Sequence, residues 1–161
     1  MNKRLIICGY SPIDLLAAIL CALILIIIFI STYVGLLILF FHDYSNVVGL
    51  MIGLSMIGFV YGCYGLLVGS LLKKELEGIL MIVLLANIDV GWLQNPVFYS
   101  QAENQTFIQY LPGYFPSQSA VIQAFTDFSS KSLNTSALLY GAILLLISMI
   151  IYFFKMKTSR N

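Results

Sequence analysis

The residues from Ile13 to Phe41 form an apolar run in which Asp14 is the only charged side chain. A helix needs about 20 residues to cross the roughly 30 Å hydrocarbon core of a bilayer, and this run exceeds that length. It also has no polar side that could face water, as the helix of a soluble domain would have. The run therefore predicts a helix that spans a membrane.

The composition supports a membrane protein and excludes several other classes. Hydrophobic residues make up 60% of the 161 residues and charged residues 9%, against roughly 45–50% and about 25% in soluble domains. A net charge of +1 gives no basic footprint for nucleic acid. The three cysteines and single histidine (Cys8, Cys21, Cys63 and His42) show no disulfide or metal-ligand spacing, so no metal site or cofactor is predicted.

Apolar stretches predict four spanning helices within one transmembrane domain covering residues 1–161. The chain is thus interpreted as an all-α integral membrane protein. The third helix is short for a complete crossing, so it is expected to tilt little or to reach only partway. The predicted helices cover about residues 13–41, 47–72, 79–93 and 136–154.

The basic residues predict the orientation of these helices. With an even number of crossings, seven of the eight Lys and Arg residues lie on one side of the membrane and Lys131 lies on the other. Basic residues accumulate in short cytoplasmic loops. We therefore expect a multi-pass protein of the plasma membrane with both termini in the cytoplasm. The seven residues are Lys3, Arg4, Lys73, Lys74, Lys155, Lys157 and Arg160.

The outer segment, residues 94–135, is rich in aromatic residues and proline. Ser117 is expected to cap a short interfacial helix whose apolar face lies on the membrane surface or on the outer ends of the spanning helices. That face comprises Val121, Ile122, Phe125 and Phe128. Two N-x-[ST] triplets, at Asn104 and Asn134, are interpreted as chance occurrences rather than glycosylation sites.

Four glycines of the second helix follow a 4-3-4 spacing that places them on one face: Gly58, Gly62, Gly65 and Gly69. Small residues let another helix approach closely. Packing within the bundle is the favoured interpretation, and a seam with another subunit or a sliding surface is the alternative.

Two polar residues, Asn87 and Asp89, lie near the end of the third predicted helix. An ionisable group inside a membrane is costly unless it faces protein or water, so Asp89 is a candidate for a translocation path. The alternative places Asp89 in the outer headgroup layer at a helix end. Asp14 has a similar position at the inner boundary.

The order of these features resembles the C-terminal part of an ABC exporter permease of the type-2 membrane-domain family. A cytoplasmic segment, residues 4–13, precedes a long helix, and a small-residue-rich helix and a basic turn at residues 73–78 follow. An Asn-Pro exit at residues 95–96 leads to the element Leu-Pro-Gly-Tyr-Phe-Pro, residues 111–116, in the outer re-entrant segment. Members of the family usually have six spanning helices, and this chain has four.

The resemblance implies a half or partial permease, either natural or truncated, of an ATP-driven exporter. Its expected partners are a separate ABC ATPase subunit, a second membrane chain that supplies the missing helices, and membrane lipid. The chain itself is expected not to be an enzyme and to carry no cofactor. The resemblance implies coupling to the ATPase through Ser11, Pro12, Ile13 and Asp14, a path at Asn87 and Asp89, and an outer gate shaped by Pro112, Gly113 and Pro116.

A different role remains open on the same residues. The glycine face could hold another membrane protein without any transport, which would make the chain an assembly or immunity subunit. A membrane-embedded enzyme is a more distant third possibility, because it needs several polar groups at one depth and only Asn87 and Asp89 lie close together in sequence. The transported substrate cannot be read from this sequence.

Overall fold

The computed structural model of the chain describes residues 12–41, 46–72, 75–93, 106–125 and 130–158. These ranges are almost entirely helical, with no strand among them, which confirms the all-helical prediction for the described part of the chain. The helices are α1 (Pro12–Phe41), α2 (Val47–Leu71), α3 (Glu75–Ala86), a π-helical segment (Asn87–Leu93) that continues α3, α4 (Tyr114–Phe125) and α5 (Lys131–Thr158).

Three of these helices are long and apolar enough to cross a membrane: residues 17–41 of α1, the whole of α2, and residues 131–154 of α5. Large hydrophobic side chains on their surfaces are exposed, among them Phe29, Phe40 and Leu139. Such surfaces suit contact with lipid. α5 begins at Lys131 rather than at residue 136, because the backbone N–H of Asn134 already bonds the carbonyl of Ser130 at 2.9 Å.

The central element of the fold is α2, which packs against each of the other four helices. Its N-terminus is capped by Asn46, whose side chain accepts a hydrogen bond of 2.8 Å from the backbone N–H of Gly49. At about 1.5 Å per residue, α2 is roughly 37 Å long, and Tyr61 lies about 21 Å from its first residue. Positions along α2 therefore provide a scale of depth for its neighbours.

α1 runs antiparallel to α2 and packs closely on it at glycines. A Cβ added at Gly62 would lie 2.7 Å from Leu23 Cδ1, and one at Gly58 would lie 3.1 Å from Ile27 Cγ2. Gly35 of α1 similarly faces Met51 near the start of α2. The interface thus depends on small residues in both helices.

α5 runs parallel to α2. Gly141 packs against the ring of Phe59, and Tyr152 of α5 lies with Gly69 and Ser70 near the end of α2. Since α1 is antiparallel to α2, the beginning of α1 and the end of α5 lie at the same end of the bundle, where α2 reaches Leu71. We call this the Leu71 end and the opposite end the Val47 end.

The third predicted helix differs from a simple span. It begins at Glu75 rather than at residue 79, and its α-helical part ends at Ala86, so this part is only about 18 Å long. Ile82 lies beside Gly65, and Asp89 of the π segment lies beside Tyr61. α3 with its π segment therefore extends from the Leu71 end only to about the middle of α2.

α4 packs along the other half of α2. Gly113, just before α4, lies at the level of Tyr61, and Ala120 packs against Gly53. Gln123 lies beside Gly49, at the Val47 end. α4 therefore runs from the middle of the bundle to its Val47 end, and it meets the π segment at Asp89.

The face of α4 that contacts the bundle is not the one predicted. Its buried residues are Pro116, Ser119, Ala120, Gln123 and Ala124, whereas Val121 and Phe125 are exposed. Of the two locations expected for the apolar face, packing on the spanning helices is therefore wrong for these two residues, and a location on the membrane surface stays a prediction. Small side chains contact the bundle instead, because the backbone of α4 approaches α2 closely at Gly53.

The predicted capping role of Ser117 is also wrong. Helix α4 begins at Tyr114, and the Ser117 hydroxyl donates to the carbonyl of Tyr114 at 3.1 Å from inside the first turn. Phe128 lies outside the described residues.

Candidate functional site at the break in the bundle

Asp89 lies in the π segment that follows α3 and is buried, with 4% of its surface exposed. The π segment begins at Asn87, whose side-chain amide donates a hydrogen bond of 2.8 Å to the carbonyl of Val83. A side chain bonded to a carbonyl one turn earlier competes with the regular helical pattern. Single π turns of this kind occur frequently at functional sites.

Two donors from distant parts of the chain meet at one oxygen of Asp89. The Tyr61 hydroxyl donates to Oδ2 at 2.6 Å, and the backbone N–H of Gly113 donates to the same oxygen at 2.8 Å. Tyr61 lies near the centre of α2, so the carboxyl group lies deep in the bundle. This depth does not fit the interpretation of Asp89 as a residue of the outer headgroup layer.

Gly113 caps the N-terminus of α4, since its carbonyl accepts the first helical hydrogen bond, from the N–H of Ser117 at 3.1 Å. Backbone N–H groups at a helix N-terminus lack partners within the helix, and the helix dipole favours an acidic group there. Asp89 provides that acidic group from another element. The carboxyl group of Asp89 thus joins two incomplete helices that enter from opposite ends of the bundle.

The site requires glycine at position 113. A Cβ added there would lie 2.6 Å from the Tyr61 hydroxyl oxygen and 2.7 Å from Oδ2 of Asp89. Both distances are shorter than real Cβ contacts, so a larger residue would displace one of the two groups. Close approach of the backbone to the carboxyl group is the reason for the glycine.

The chain before α4 is anchored to α5 as well. The Tyr140 hydroxyl donates to the carbonyl of Tyr110 at 3.0 Å, and the side chain of Ile108 is completely buried. Backbone hydrogen bonds make a compact series of turns, with the N–H of Tyr110 bonded to Phe107 and that of Leu111 bonded to Ile108. Residues 106–125, which we call the re-entrant segment, are therefore held at several points.

Further polar contacts hold the part of α4 that lies toward the Val47 end. The Gln123 amide donates to the Ser119 hydroxyl at 2.7 Å, and that hydroxyl donates to Oδ1 of Asn134 at 2.5 Å. Ser119 and Gln123 are both buried. The hydrogen bond of Asn134 gives its side chain a structural role within the protein, which agrees with reading its N-x-[ST] triplet as a chance occurrence.

The predicted path and gate residues are partly brought together. Asp89 and Gly113 are in direct contact, and Pro116 is buried one turn further along α4. Asn87 is exposed and bonds within its own helix, while Pro112 is half-buried. The structure thus joins one path residue to one gate residue.

The predicted coupling residues lie at the other end of the molecule. Pro12 and Ile13 are the first two residues of α1, where proline suits the first helical turn. Asp14 is exposed in that turn, and Ser11 lies outside the described residues. Pro12, Ile13 and Asp14 are at the Leu71 end, far from the re-entrant segment.

The glycine face of α2 divides among different neighbours. Gly58 and Gly62 contact α1. A Cβ added at Gly65 would lie 3.6 Å from Cδ1 of Ile82 in α3. Gly69 has no described atom within 4 Å of such a Cβ. Three of the four positions therefore face helices of this chain, and the fourth faces open space.

Sequence reasoning missed Tyr61, Tyr140, Ser119 and Gln123. Tyr61 carries a usable signal, because a tyrosine in the middle of an apolar spanning helix must find a partner for its hydroxyl. Ser119 and Gln123 carry no such signal, since they resemble ordinary surface residues of an outer loop.

No group of three potential metal ligands comes together among the described residues. Comparison of the chain with protein-family models, with characterised proteins and with solved structures gave no match.

Proposed function

We propose that the chain is a membrane-spanning permease subunit of an ATP-driven ABC transporter, acting as an exporter. The observation that carries this proposal is the break in the bundle at Asp89, where two half-helices meet at mid-depth. Spanning helices that are interrupted near the middle of the membrane are typical of transport sites. Irregular backbone at such depth is tolerated where it is buried in protein or lines a cavity.

In this proposal the chain crosses the membrane four times. Helices α1, α2 and α5 each make one passage, and the fourth is made jointly by α3 with its π segment and by α4. The Leu71 end faces the cytoplasm, because Lys155 and Lys157 lie in the last turns of α5. Lys131, at the start of α5, lies on the outer side. Both termini are then cytoplasmic, and the membrane is the plasma membrane.

The re-entrant segment acts as the outer gate. Asp89 holds it to the centre of the bundle through Gly113, and Tyr140 holds it to α5. Release of the contact at Asp89 would free the inner end of α4 while its outer end remains fastened at Ser119. The path opens toward the exterior beneath this segment.

The ATPase subunit docks at the Leu71 end, next to Ser11, Pro12, Ile13 and Asp14. A movement there is transmitted along α1, which packs closely on α2 at Gly62 and Gly58. α2 carries Tyr61 and therefore connects the docking end with the gate. A second membrane chain completes the permease beside α1, whose main contact within this chain is α2.

The alternative, a non-transport assembly or immunity subunit, is favoured by one observation. The junction is closed in this structure, with Asp89 bonded to both Tyr61 and Gly113. A junction with a purely structural role would have the same geometry. The two roles differ in whether the junction responds to nucleotide.

Purification of the tagged chain from its native membranes tests the assembly. The exporter proposal expects an ATP-hydrolysing chain and a second membrane chain to copurify. Recovery of the chain without any ATPase would contradict the proposal.

Cysteine labelling tests the gate within that complex. Phe107, which is exposed in the re-entrant segment, is replaced by cysteine in a background lacking Cys8 and Cys21, while the fully buried Cys63 is retained. Trapping the ATPase with ATP and vanadate is expected to change the rate of labelling by a membrane-impermeant maleimide. Lys131→Cys is the matched control outside the segment and should label at an unchanged rate. Equal rates for F107C in both nucleotide states would favour the non-transport role.

A further inference from the structure

A cavity of about 220 Å³ lies between α1, α2 and α5 near the Leu71 end of the bundle. Ile19 of α1, Gly65 and Gly69 of α2, and Leu145 and Ser148 of α5 form much of its wall. α1 and α5 both pack on α2 with little direct contact between them. The cavity therefore occupies the gap between α1 and α5.

The cavity exists because α2 presents glycine where a side chain would fill it. A Cβ added at Gly69 would meet no described atom within 4 Å, and one at Gly65 would meet only Ile82 at 3.6 Å. For comparison, an apolar cavity of roughly 150 Å³ takes up a benzene ring. The space at Gly69 is large enough for a segment of a hydrocarbon chain.

The wall also carries a hydroxyl suited to a polar ligand atom. Ser148 lines the cavity and is only 7% exposed. A serine hydroxyl is a hydrogen-bond donor, and a ligand carbonyl in the cavity can accept from it.

We propose that this cavity binds a phospholipid with an anionic headgroup, with part of an acyl chain beside Gly65 and Gly69 and an ester carbonyl at Ser148. The lining is predominantly apolar and the gap lies between two helices that expose apolar side chains to the membrane. A lipid acyl chain is the molecule always present there. Its ester group lies between the hydrocarbon and the headgroup, as Ser148 lies between Leu145 and the end of α5.

Charge complementarity favours an anionic headgroup. Lys155 follows Tyr152, a residue of the cavity wall, by three positions on α5, so the two share one side of the helix one turn apart. Lys157 lies in the same last turns. Basic residues beside clefts between spanning helices on the cytoplasmic side bind anionic lipid headgroups.

Lipid retention by the full-length chain tests this proposal. The chain is reconstituted in nanodiscs of equimolar dioleoylphosphatidylglycerol and dioleoylphosphatidylcholine. Native mass spectrometry, at an activation energy that just releases the protein from the nanodisc, then measures the mass of the chain with the lipids that remain bound. The unchanged chain is expected to retain one phosphatidylglycerol in preference to phosphatidylcholine. Gly69→Leu, which fills the cavity, is expected to reduce that retention by about tenfold.

Two further variants separate the parts of the site. Leu146→Phe enlarges an exposed residue of α5 and should leave retention unchanged, as a control for added volume on this helix. The double variant K155Q/K157Q should reduce the preference for phosphatidylglycerol at least about fivefold. This second variant keeps the test decisive if Gly69→Leu fails to fold, as judged by helical circular dichroism.

Three results would overturn the proposal. The first is retention of phosphatidylglycerol by folded Gly69→Leu at the level of the unchanged chain. The second is equal retention of the two lipids by the unchanged chain. The third is a lipid-free dimer that Gly69→Leu disrupts, which would assign the cavity to a second copy of the chain.

Discussion

The Tyr61 hydroxyl donates a hydrogen bond of 2.6 Å to Oδ2 of Asp89, which lies 28 residues later in the chain. This bond joins the centre of α2, which packs against the other four helices, to the π segment that follows α3. It also fixes the carboxyl group so that the N–H of Gly113 can reach the same oxygen. The position of the re-entrant segment therefore depends on a tyrosine that is not part of it.

Removing this hydroxyl should loosen the junction. Tyr61→Phe is expected to lower the free energy of unfolding by roughly 0.6–1.7 kcal/mol, from the average to the maximum for hydrogen bonds between membrane helices. The thermal unfolding midpoint in detergent measures the change. Tyr33→Phe removes a hydroxyl from an exposed tyrosine of α1 and should cause no shift. Equal midpoints for the two variants would show that the bond with Asp89 does not stabilise the fold.

Glycine at position 113 should be essential for the contact with Asp89. Gly113→Ala places a methyl group 2.6 Å from the Tyr61 hydroxyl oxygen, and accommodating it should cost about 1–3 kcal/mol of stability. Gly91→Ala is the control, because no described atom lies within 4 Å of a Cβ at that position. Thermal unfolding should show a large loss for the first variant only. A Gly113→Ala protein as stable as Gly91→Ala would contradict the described junction.

The half of α4 toward the Val47 end depends on a close approach of two backbones. A Cβ at Gly53 would lie 2.6 Å from Cα of Ala120, and backbone cannot move aside as easily as a side chain. Gly53→Ala should therefore detach α4 and expose its buried residues, of which Ala124 is one. In an Ala124→Cys background lacking Cys8 and Cys21, maleimide labelling should accelerate when Gly53 is replaced. Gly78→Ala, which has open space around its Cβ among the described residues, should leave the rate unchanged.

The interface between α1 and α2 should show compensation between two side chains. Gly62→Ala introduces a methyl group 2.7 Å from Leu23 Cδ1 and should destabilise the protein by about 1–3 kcal/mol. Shortening the opposing residue in the double variant G62A/L23A should restore part of that loss. A double-mutant cycle measures the coupling. Strictly additive losses would show that Gly62 and Leu23 do not meet.

Much of the architecture follows from the sequence because the bilayer imposes simple rules on length and polarity. The ranges of α1 and α2 were predicted to within one residue at each end, since long apolar runs and a polar turn mark them. The same length rule indicates that the third helix is too short for a complete crossing. The early start of α5 was missed, because residues 131–135 are polar and resemble a loop.

The site was only partly predictable, because its geometry depends on contacts between distant residues. The sequence indicates that Asp89 is an ionisable group whose burial in a membrane is unfavourable. It does not indicate the depth of Asp89, which is set by the contact with Tyr61, 28 positions away. The glycine spacing predicted a packing face, yet it does not distinguish Gly62, which touches Leu23, from Gly69, which borders a cavity. The buried face of α4 could not be predicted, since a glycine on another helix makes room for it.

The break between the π segment and α4 changes how these two elements can move. In a continuous α-helix each backbone N–H bonds the carbonyl four residues earlier, so a sharp bend breaks several of these hydrogen bonds. Here the π segment and α4 are separate helices, and the carboxyl group of Asp89 accepts hydrogen bonds from Tyr61 and from Gly113 where they meet. α3 with its π segment can therefore tilt relative to α4. Each element keeps its own backbone hydrogen bonds while the angle between them changes.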